Sequence, residues 1–319
     1  MLPLSQRWLA ASFALAALAA AGSGRVDSYV LDVLMGAGIN IILAVSLNLI
    51  NGFTGQFSLG HAGFMAVGAY TTALLTTVFP KSSGSALGNL PWLILPLALL
   101  AGGLMAGAAG LLVGAPSLRL RGDYLAIVTL GFGEIIKVIL QNLEFLGGAL
   151  GLNGIATPIN KGWANPILFF NLSAAALTIY TVWALVNSTF GRGFLAVADD
   201  EVAAEAMGLN TTRYKIYAFV VGSFFAGVAG GLFAHLKGSI TPTGFDFTKS
   251  IEIVVMVILG GMGRHVGVIV AAVLLTVVQE PLRQLGDWRM ILYALLLIAL
   301  MLLRPQGLFT WSFRSRQAA

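Results

Sequence analysis

The chain has 319 residues, of which 58% are hydrophobic and only 10% are charged. Because soluble domains carry about 25% charged residues, this composition excludes a protein that covers its whole surface with water-facing side chains. There is no cysteine, which excludes disulfides, thiolate metal sites and a cysteine nucleophile. The formal net charge of +5 comes from singly scattered basic residues, a pattern that indicates loop topology and no nucleic-acid partner.

Repeated apolar runs of about 20 residues predict membrane-spanning helices. The predicted fold class is all-α, a polytopic integral membrane protein with about ten transmembrane helices. The first and eighth spans are short for a full crossing, so tilted, partial and re-entrant arrangements stay open for them. The spans cover residues 8–22, 29–50, 61–79, 91–115, 123–142, 166–188, 214–237, 250–262, 267–284 and 288–304.

The first segment has a second interpretation. Arg7, the apolar run after it and the small residues of 19–23 also fit a cleaved signal peptide. We favour retention as the first span, and either interpretation leaves the other nine spans in the same orientation. With the N-terminus inside, ten of the 18 Lys and Arg lie in inside loops and seven in outside loops, with Lys137 within a span. This bias predicts that both termini are cytoplasmic.

The stretch NGFTGQFSLGHAG, residues 51–63, separates spans two and three. Its glycines disfavour a continuous helix, and non-helical backbone at membrane depth is tolerated only inside protein or beside a watery cavity. A broken helix here offers freed backbone groups to a transported solute. An ordinary cytoplasmic connection with small residues for close packing explains the same sequence, and both interpretations stay open. The candidate pathway residues are Asn48, Asn51, Gly52, Gly55, Gln56, Ser58, Gly60 and His61.

Glu134 and Lys137 lie three positions apart within span five, which predicts an ion pair on one helix face. Ionisable residues within a span are functional candidates, and a structural pair at a subunit interface is equally open. Glu134 is the one deep acidic residue that the sequence indicates. The three histidines lack metal-ligand spacing, and no Ser/His/Asp or paired-carboxylate arrangement is present. We therefore predict neither a metal site nor a catalytic site.

The connection between Gly191 and Lys215 holds seven of the chain's 31 Lys, Arg, Asp and Glu residues. Acidic residues at 199–201 favour a helix N-terminus, and Gly208 with Asn210 supplies a stop. The spacing predicts an amphipathic helix of about two turns. Such a helix is an interfacial loop helix or an element that docks on a soluble partner. Its candidate docking residues are Asp200, Glu201, Val202, Ala203, Glu205, Ala206, Met207 and Gly208.

Several motifs carry a family resemblance. ADDEVAAEAMGLNTTRYKIYAF resembles the cytoplasmic EAA-type loop of ATP-binding-cassette importer permeases, in the form found in branched-chain amino acid permeases. LNLINGFTGQFSLGHAGFMAVGAY is similar to a signature of that family, and FLGGALGLNGI, residues 145–155, to a loop of its M-type subunit. GDYLAIVTLGFGEI and LLRPQGLF fit as well. The resemblance extends over residues 31–309.

The resemblance implies a type II-like importer permease in a bacterial inner membrane. It also implies that the short helix couples to two cytosolic ATPase subunits. Further implied partners are a paralogous permease subunit in a heterodimer and an extracytoplasmic amino-acid-binding protein. The implied function is uptake of leucine, isoleucine, valine or closely related small solutes.

The sequence independently indicates that ATP chemistry resides on other chains. No G-x-x-x-x-G-K-[ST] phosphate loop is present. The nearest glycine cluster, residues 260–267, lacks the lysine–hydroxyl pair that holds phosphate and magnesium. We therefore expect that this chain is not an enzyme and binds no cofactor, and that partner subunits use ATP and magnesium.

We interpret residues 1–319 as one permease domain. Residues 1–28 form the first span and outer loop, 29–190 spans two to six, 191–213 the coupling loop and 214–319 spans seven to ten with a cytoplasmic tail. The alternative function is a stand-alone channel or ion-coupled carrier for a small polar solute such as urea or an amide. A carrier favours several deep acids and inverted repeats, and the sequence shows neither. A cysteine placed at Ala204 is expected to crosslink to an ATPase subunit.

Overall fold

The computed structural model describes residues 4–82, 91–117, 122–155 and 166–282, with the isolated positions 288, 291, 295 and 298. Most of these residues are helical. The helices are α1 Leu4–Gly22, α2 Ser28–Asn48, α3 His61–Ser82, α4 Pro91–Ser117, α5 Asp123–Asn142, α6 Pro166–Val186, α7 Thr189–Asp199, α8 Glu201–Ala206, α9 Thr211–Lys237, α10 Phe247–Gly260 and α11 His265–Leu282. A π-helical turn, Leu49–Phe53, extends α2.

The predicted spans coincide with helices wherever the structure describes them. Among the described residues, spans one to six correspond to α1–α6 and spans seven to nine to α9–α11. The tenth span, 288–304, lies outside the described residues except for four isolated positions, so the count of ten stays a prediction. Within the described part, five segments are long and apolar enough to cross a membrane: Ser28–Phe53, Leu93–Ser117, Tyr124–Asn142, Pro166–Val186 and Thr211–Lys237. The all-α polytopic fold class is confirmed.

Helix α9 lies at the centre of the bundle and packs against α2, α3 and α4. Its crossing with α3 is so close that a Cβ at Gly68 would clash with the backbone of Gly227. Helices in a membrane associate through such close backbone approach, because lipid provides no hydrophobic driving force between them. Glycine in α4 acts in the same way, since a Cβ at Gly103 would lie 2.8 Å from the Phe224 ring.

The connections between helices define two ends of the bundle. At one end, which we call the ribbon end, β1 Leu152–Asn153 pairs antiparallel with β2 Ser239–Ile240. This pairing joins the α5–α6 connection to the α9–α10 connection, and no pattern in the sequence indicated it. At the opposite end, which we call the α8 end, the α10–α11 turn meets the end of α2, and Gly263 N donates to Asn48 Oδ1 at 2.9 Å.

Candidate functional site

The helical structure is interrupted between α2 and α3, and the chain there folds back into the bundle. After the π-helical turn, Thr54–Gly60 has no regular secondary structure, and α3 begins at His61. We call residues 49–60 the broken segment. Ser46 Oγ of α2 lies 2.9 Å from His61 Nε2. Ser46 lies five residues before Asn51, which is about 7.5 Å along a helix. Since His61 contacts Ser46, the first residue of α3 lies beside an earlier turn of α2. Helix α3 therefore begins inside the bundle and not at its surface.

Side chains from several helices hold the backbone of the broken segment. Leu59 N donates to Thr129 Oγ1 of α5 at 3.0 Å. At the start of α3, Ala62 N donates to Ser250 Oγ of α10 at 3.2 Å. These bonds satisfy backbone donors that no helix partner reaches. Most of the segment is thus buried in protein, with Gly55 exposed. Burial in protein is the condition under which irregular backbone is tolerated at membrane depth.

Polar side-chain atoms within and beside the broken segment are buried without hydrogen-bond partners among the described residues. They are Asn48 Nδ2, Asn51 Nδ2, Gln56 Oε1 and Ser58 Oγ. The Asn48 and Ser58 side chains are fully buried. Each unpaired buried group costs about 1–3 kcal/mol of folding free energy. Several such groups within eleven residues therefore destabilise this part of the fold. The arrangement offers unused donors and acceptors to a polar solute or to water.

The short helix predicted in the long connection is present as α8. Asp200 Oδ1 accepts from Val202 N at 2.9 Å and from Ala203 N at 3.1 Å, so it caps the helix as its position predicts. Gly208 has φ +84° and ends the helix. The outward face is apolar, with Val202 62% and Met207 83% exposed.

The acidic side of α8 faces α9. Glu201 Oε1 accepts from Lys215 Nζ at 2.5 Å, and Glu205 Oε1 accepts from the Thr211 hydroxyl at 2.7 Å. Lys215 and Thr211 are both buried in the first turns of α9. Ala204 is also turned inward and is only 5% exposed. Ala204 is therefore a poorly accessible position for the predicted cysteine crosslink, and Met207 is the exposed position from which to test it.

Among the described residues, two ion pairs lie within single apolar helices. Glu134 and Lys137 of α5 form the predicted pair, with side chains 37% and 19% exposed. The second pair joins Lys249 Nζ to Glu252 Oε2 of α10 at 2.8 Å, and Gln279 of α11 donates to Glu252 Oε1 at 2.7 Å. The interpretation of Glu134 as the one deep acid is therefore wrong. The i,i+3 spacing of Lys249 and Glu252 is itself a signal for this pair, but the predicted eighth span begins only at residue 250.

Within the described ranges, no three His, Asp or Glu side chains are grouped so that they would bind a metal ion. His235 Nε2 of α9 lies 3.0 Å from Thr76 Oγ1 of α3, and its Nδ1 lies 2.8 Å from the Gly231 carbonyl oxygen. This histidine therefore links two packed helices.

The arrangement of these features is that of a membrane permease, and comparison with known proteins gives its family. Residues 29–303 match the permease component of branched-chain amino acid transport systems. The chain belongs to this family.

Individual relatives agree with the family match. The chain is 38% identical over 323 aligned residues to the high-affinity branched-chain amino acid transport system permease protein LivM of Escherichia coli K12, covering 92% of this chain and 73% of that protein. It is 40% identical to LivM of Salmonella typhimurium, covering 85% and 67%. It is 28% identical to a probable LivM of Methanocaldococcus jannaschii, covering 74% and 76%. No solved structure matches the chain.

The family and the apolar helices together describe a multi-pass inner-membrane permease of the ATP-binding-cassette importer class. The resemblance found in the sequence is confirmed. A stand-alone channel or ion-coupled carrier is not favoured.

Proposed function

We propose that this chain is the M-type permease subunit of an importer that carries leucine, isoleucine, valine or closely related small solutes into the cytoplasm. The substrate class follows that of its LivM relatives. ATP hydrolysis, with magnesium, takes place on separate cytosolic subunits. An extracytoplasmic amino-acid-binding protein delivers the solute at the ribbon end.

The observation that carries this proposal is the exposed apolar face of α8. Val202, Ala203, Ala206 and Met207 are all exposed on one short helix, while its carboxylates face α9. An amphipathic helix that shows its apolar face to water fits a groove on a partner. Two ATPase subunits dock there and on the equivalent helix of the second permease subunit. The α8 end is then cytoplasmic, and so is the N-terminus, because α1 begins at that end.

The broken segment provides the inner part of the solute path in this proposal. Its buried, unpaired side-chain atoms supply the donors and acceptors that a zwitterionic amino acid needs in a low-dielectric interior. Interrupted helices supply such groups in other transporters. The apolar side chain of the solute needs no polar partner, which suits the surrounding hydrophobic core.

Helix α5 faces the second permease subunit in this proposal. Both α4 and α5 expose large apolar side chains, among them Leu104 and Leu112 on α4 and Ile135 and Val138 on α5. Only α5 adds a partly exposed ion pair, Glu134–Lys137. Charged groups near the bilayer centre are costly against lipid, so the α5 face fits a protein or aqueous neighbour and the α4 face fits lipid.

The proposal is tested with the purified complex in proteoliposomes. The complex with its binding protein should take up radiolabelled leucine only with ATP, and this chain alone should show no ATPase activity above background. Because the chain has no cysteine, Val138→Cys and Leu112→Cys form a matched pair for crosslinking. The α5 cysteine should crosslink to the second permease subunit and the α4 cysteine should not. ATP hydrolysis by this chain alone, or ATP-independent uptake, would contradict the proposed function.

A further inference from the structure

Helix α9 connects α8 to the broken segment. Its first turn receives both carboxylates of α8, through Lys215 and Thr211. Two turns further along, Gly222 packs against the end of α2, where a Cβ would lie 2.6 Å from Ile50 Cδ1 and 3.0 Å from the Ser46 carbonyl oxygen. Ile50 is the second residue of the broken segment, and Ser46 bonds to His61, which follows that segment.

A second contact joins the same regions. Helix α7 leads directly into α8, and its penultimate residue, Ala198, touches the broken segment at Gly55. A Cβ at Gly55 would lie 3.2 Å from Ala198 Cα, and Gly55 has φ +66°. The helices on both sides of α8 therefore contact the broken segment.

The contact between α8 and α9 is an ion pair between Glu201 and the buried Lys215. Lys215 is only 6% exposed, and a buried ammonium needs a partner charge at close range. Glu201 provides that charge at 2.5 Å. Both α8 carboxylates also lie at the N-terminus of α9, where the helix dipole favours negative charge. These interactions join α8 to the first turns of α9.

We propose that Lys215 and Thr211 are positioning residues that transmit movement of α8 through α9 to the broken segment. The inference rests on the proposed function, in which ATPase subunits move α8. It adds the element that carries the movement: α9 is held to α8 at its first turn and to the end of α2 at Gly222. When the ATPase subunits displace α8, α9 shifts the buried polar groups of the solute path.

The decisive variant removes both charges of the buried pair, because removing one alone strands the other. The double variant Glu201→Gln with Lys215→Met should assemble and hydrolyse ATP at the unmodified rate. It should take up at least about fivefold less leucine per ATP, the lower end of typical coupling effects. Lys215→Arg should keep the normal ratio. Lys237→Met, which removes an exposed charge at the far end of α9, is the matched control and should also keep it.

A milder variant decides the question if the double variant does not insert. Thr211→Val keeps shape and removes only the hydroxyl that bonds Glu205, so it should lower the uptake ratio in the same direction. An unchanged ratio in every α8–α9 variant that inserts would overturn the inference. A cysteine at Met207 separates this outcome from failure of the proposed function. A crosslink to an ATPase subunit with an unchanged ratio refutes only the transmission through α9, whereas no crosslink refutes docking at α8.

Discussion

The broken segment and α8 both interrupt the bundle at the same end, yet they treat polar groups in opposite ways. The broken segment buries polar atoms that have no partner in the described part of the chain, whereas α8 pairs both of its carboxylates with α9 and exposes apolar side chains. Each arrangement is unfavourable for an isolated chain. Unpaired buried polar atoms suit a solute that passes between helices, and exposed apolar side chains outside the bundle suit a protein that docks. The contrast therefore fits the proposed solute path at the broken segment and the proposed interface at α8.

The largest effect is expected at the exposed end of α8. Met207→Asp places a charge where an apolar contact is proposed, and loss of such a contact costs about 2 kcal/mol or more, roughly 30-fold in affinity. Since Met207 is 83% exposed, folding should not change. Co-purification of the ATPase subunits and leucine uptake measure the effect, and Met207→Leu is the control. Retention of the ATPase subunits by Met207→Asp would show that α8 is not the interface.

Asn51→Leu tests which polar atoms of the broken segment are structural. Asn51 Oδ1 accepts from Ser58 N at 3.2 Å, so the change leaves a buried donor unsatisfied at a cost of about 1–3 kcal/mol. We expect a lower unfolding temperature of the detergent-solubilised protein. Asn142→Leu is the control, because Asn142 bonds the Val138 carbonyl oxygen at an exposed position and should change stability by about 0.5 kcal/mol or less. Equal stability of the two variants would contradict the structural role of Asn51.

Gln56→Leu tests the unpaired atoms in the same segment. The change removes Oε1, which is buried without a partner among the described residues, and also the hydrogen bond that Gln56 Nε2 donates to Thr54 Oγ1 at 3.0 Å. These two effects on stability oppose each other, so the unfolding temperature should change little. Leucine uptake should fall by about two- to tenfold, the equivalent of one hydrogen bond of about 0.5–1.5 kcal/mol. Normal uptake together with increased stability would show that the segment does not contact the solute.

The last effect concerns stability alone and is expected at the exit of α8. Gly208 has φ +84° and no atom lies within 4 Å of an added Cβ, so Gly208→Ala should cost only the backbone penalty of about 1–2 kcal/mol. Gly22→Ala is the control, because Gly22 ends α1 in a right-handed conformation with equally open space. Thermal unfolding compares the two, and a Gly208→Ala variant as stable as Gly22→Ala would contradict a strained exit.

Local sequence was sufficient to predict the membrane-spanning helices and the short helix α8. Apolar runs predicted the spans because, in lipid, every backbone group of a helix must bond within its own segment. Whether a segment forms a spanning helix therefore depends on its own residues. The start and stop of α8 were likewise local, since Asp200 caps its own helix and Gly208 adopts the positive φ that ends it. The ion pair of Glu134 with Lys137 followed from spacing on one helix.

The contacts between residues far apart in sequence were decided only by the tertiary structure. No periodicity relates Glu201 to Lys215, because α8 and α9 are joined by an irregular turn whose direction sets their distance. Spacing also does not reveal that the broken segment folds back to bring His61 against Ser46, or that Gly222 lies against Ile50. The sequence by itself determined a multi-pass helical permease with a short amphipathic helix. Packing between helices decided which polar atoms are paired and which are buried without a partner among the described residues, because burial and partner depend on neighbours that the chain brings together only when it folds.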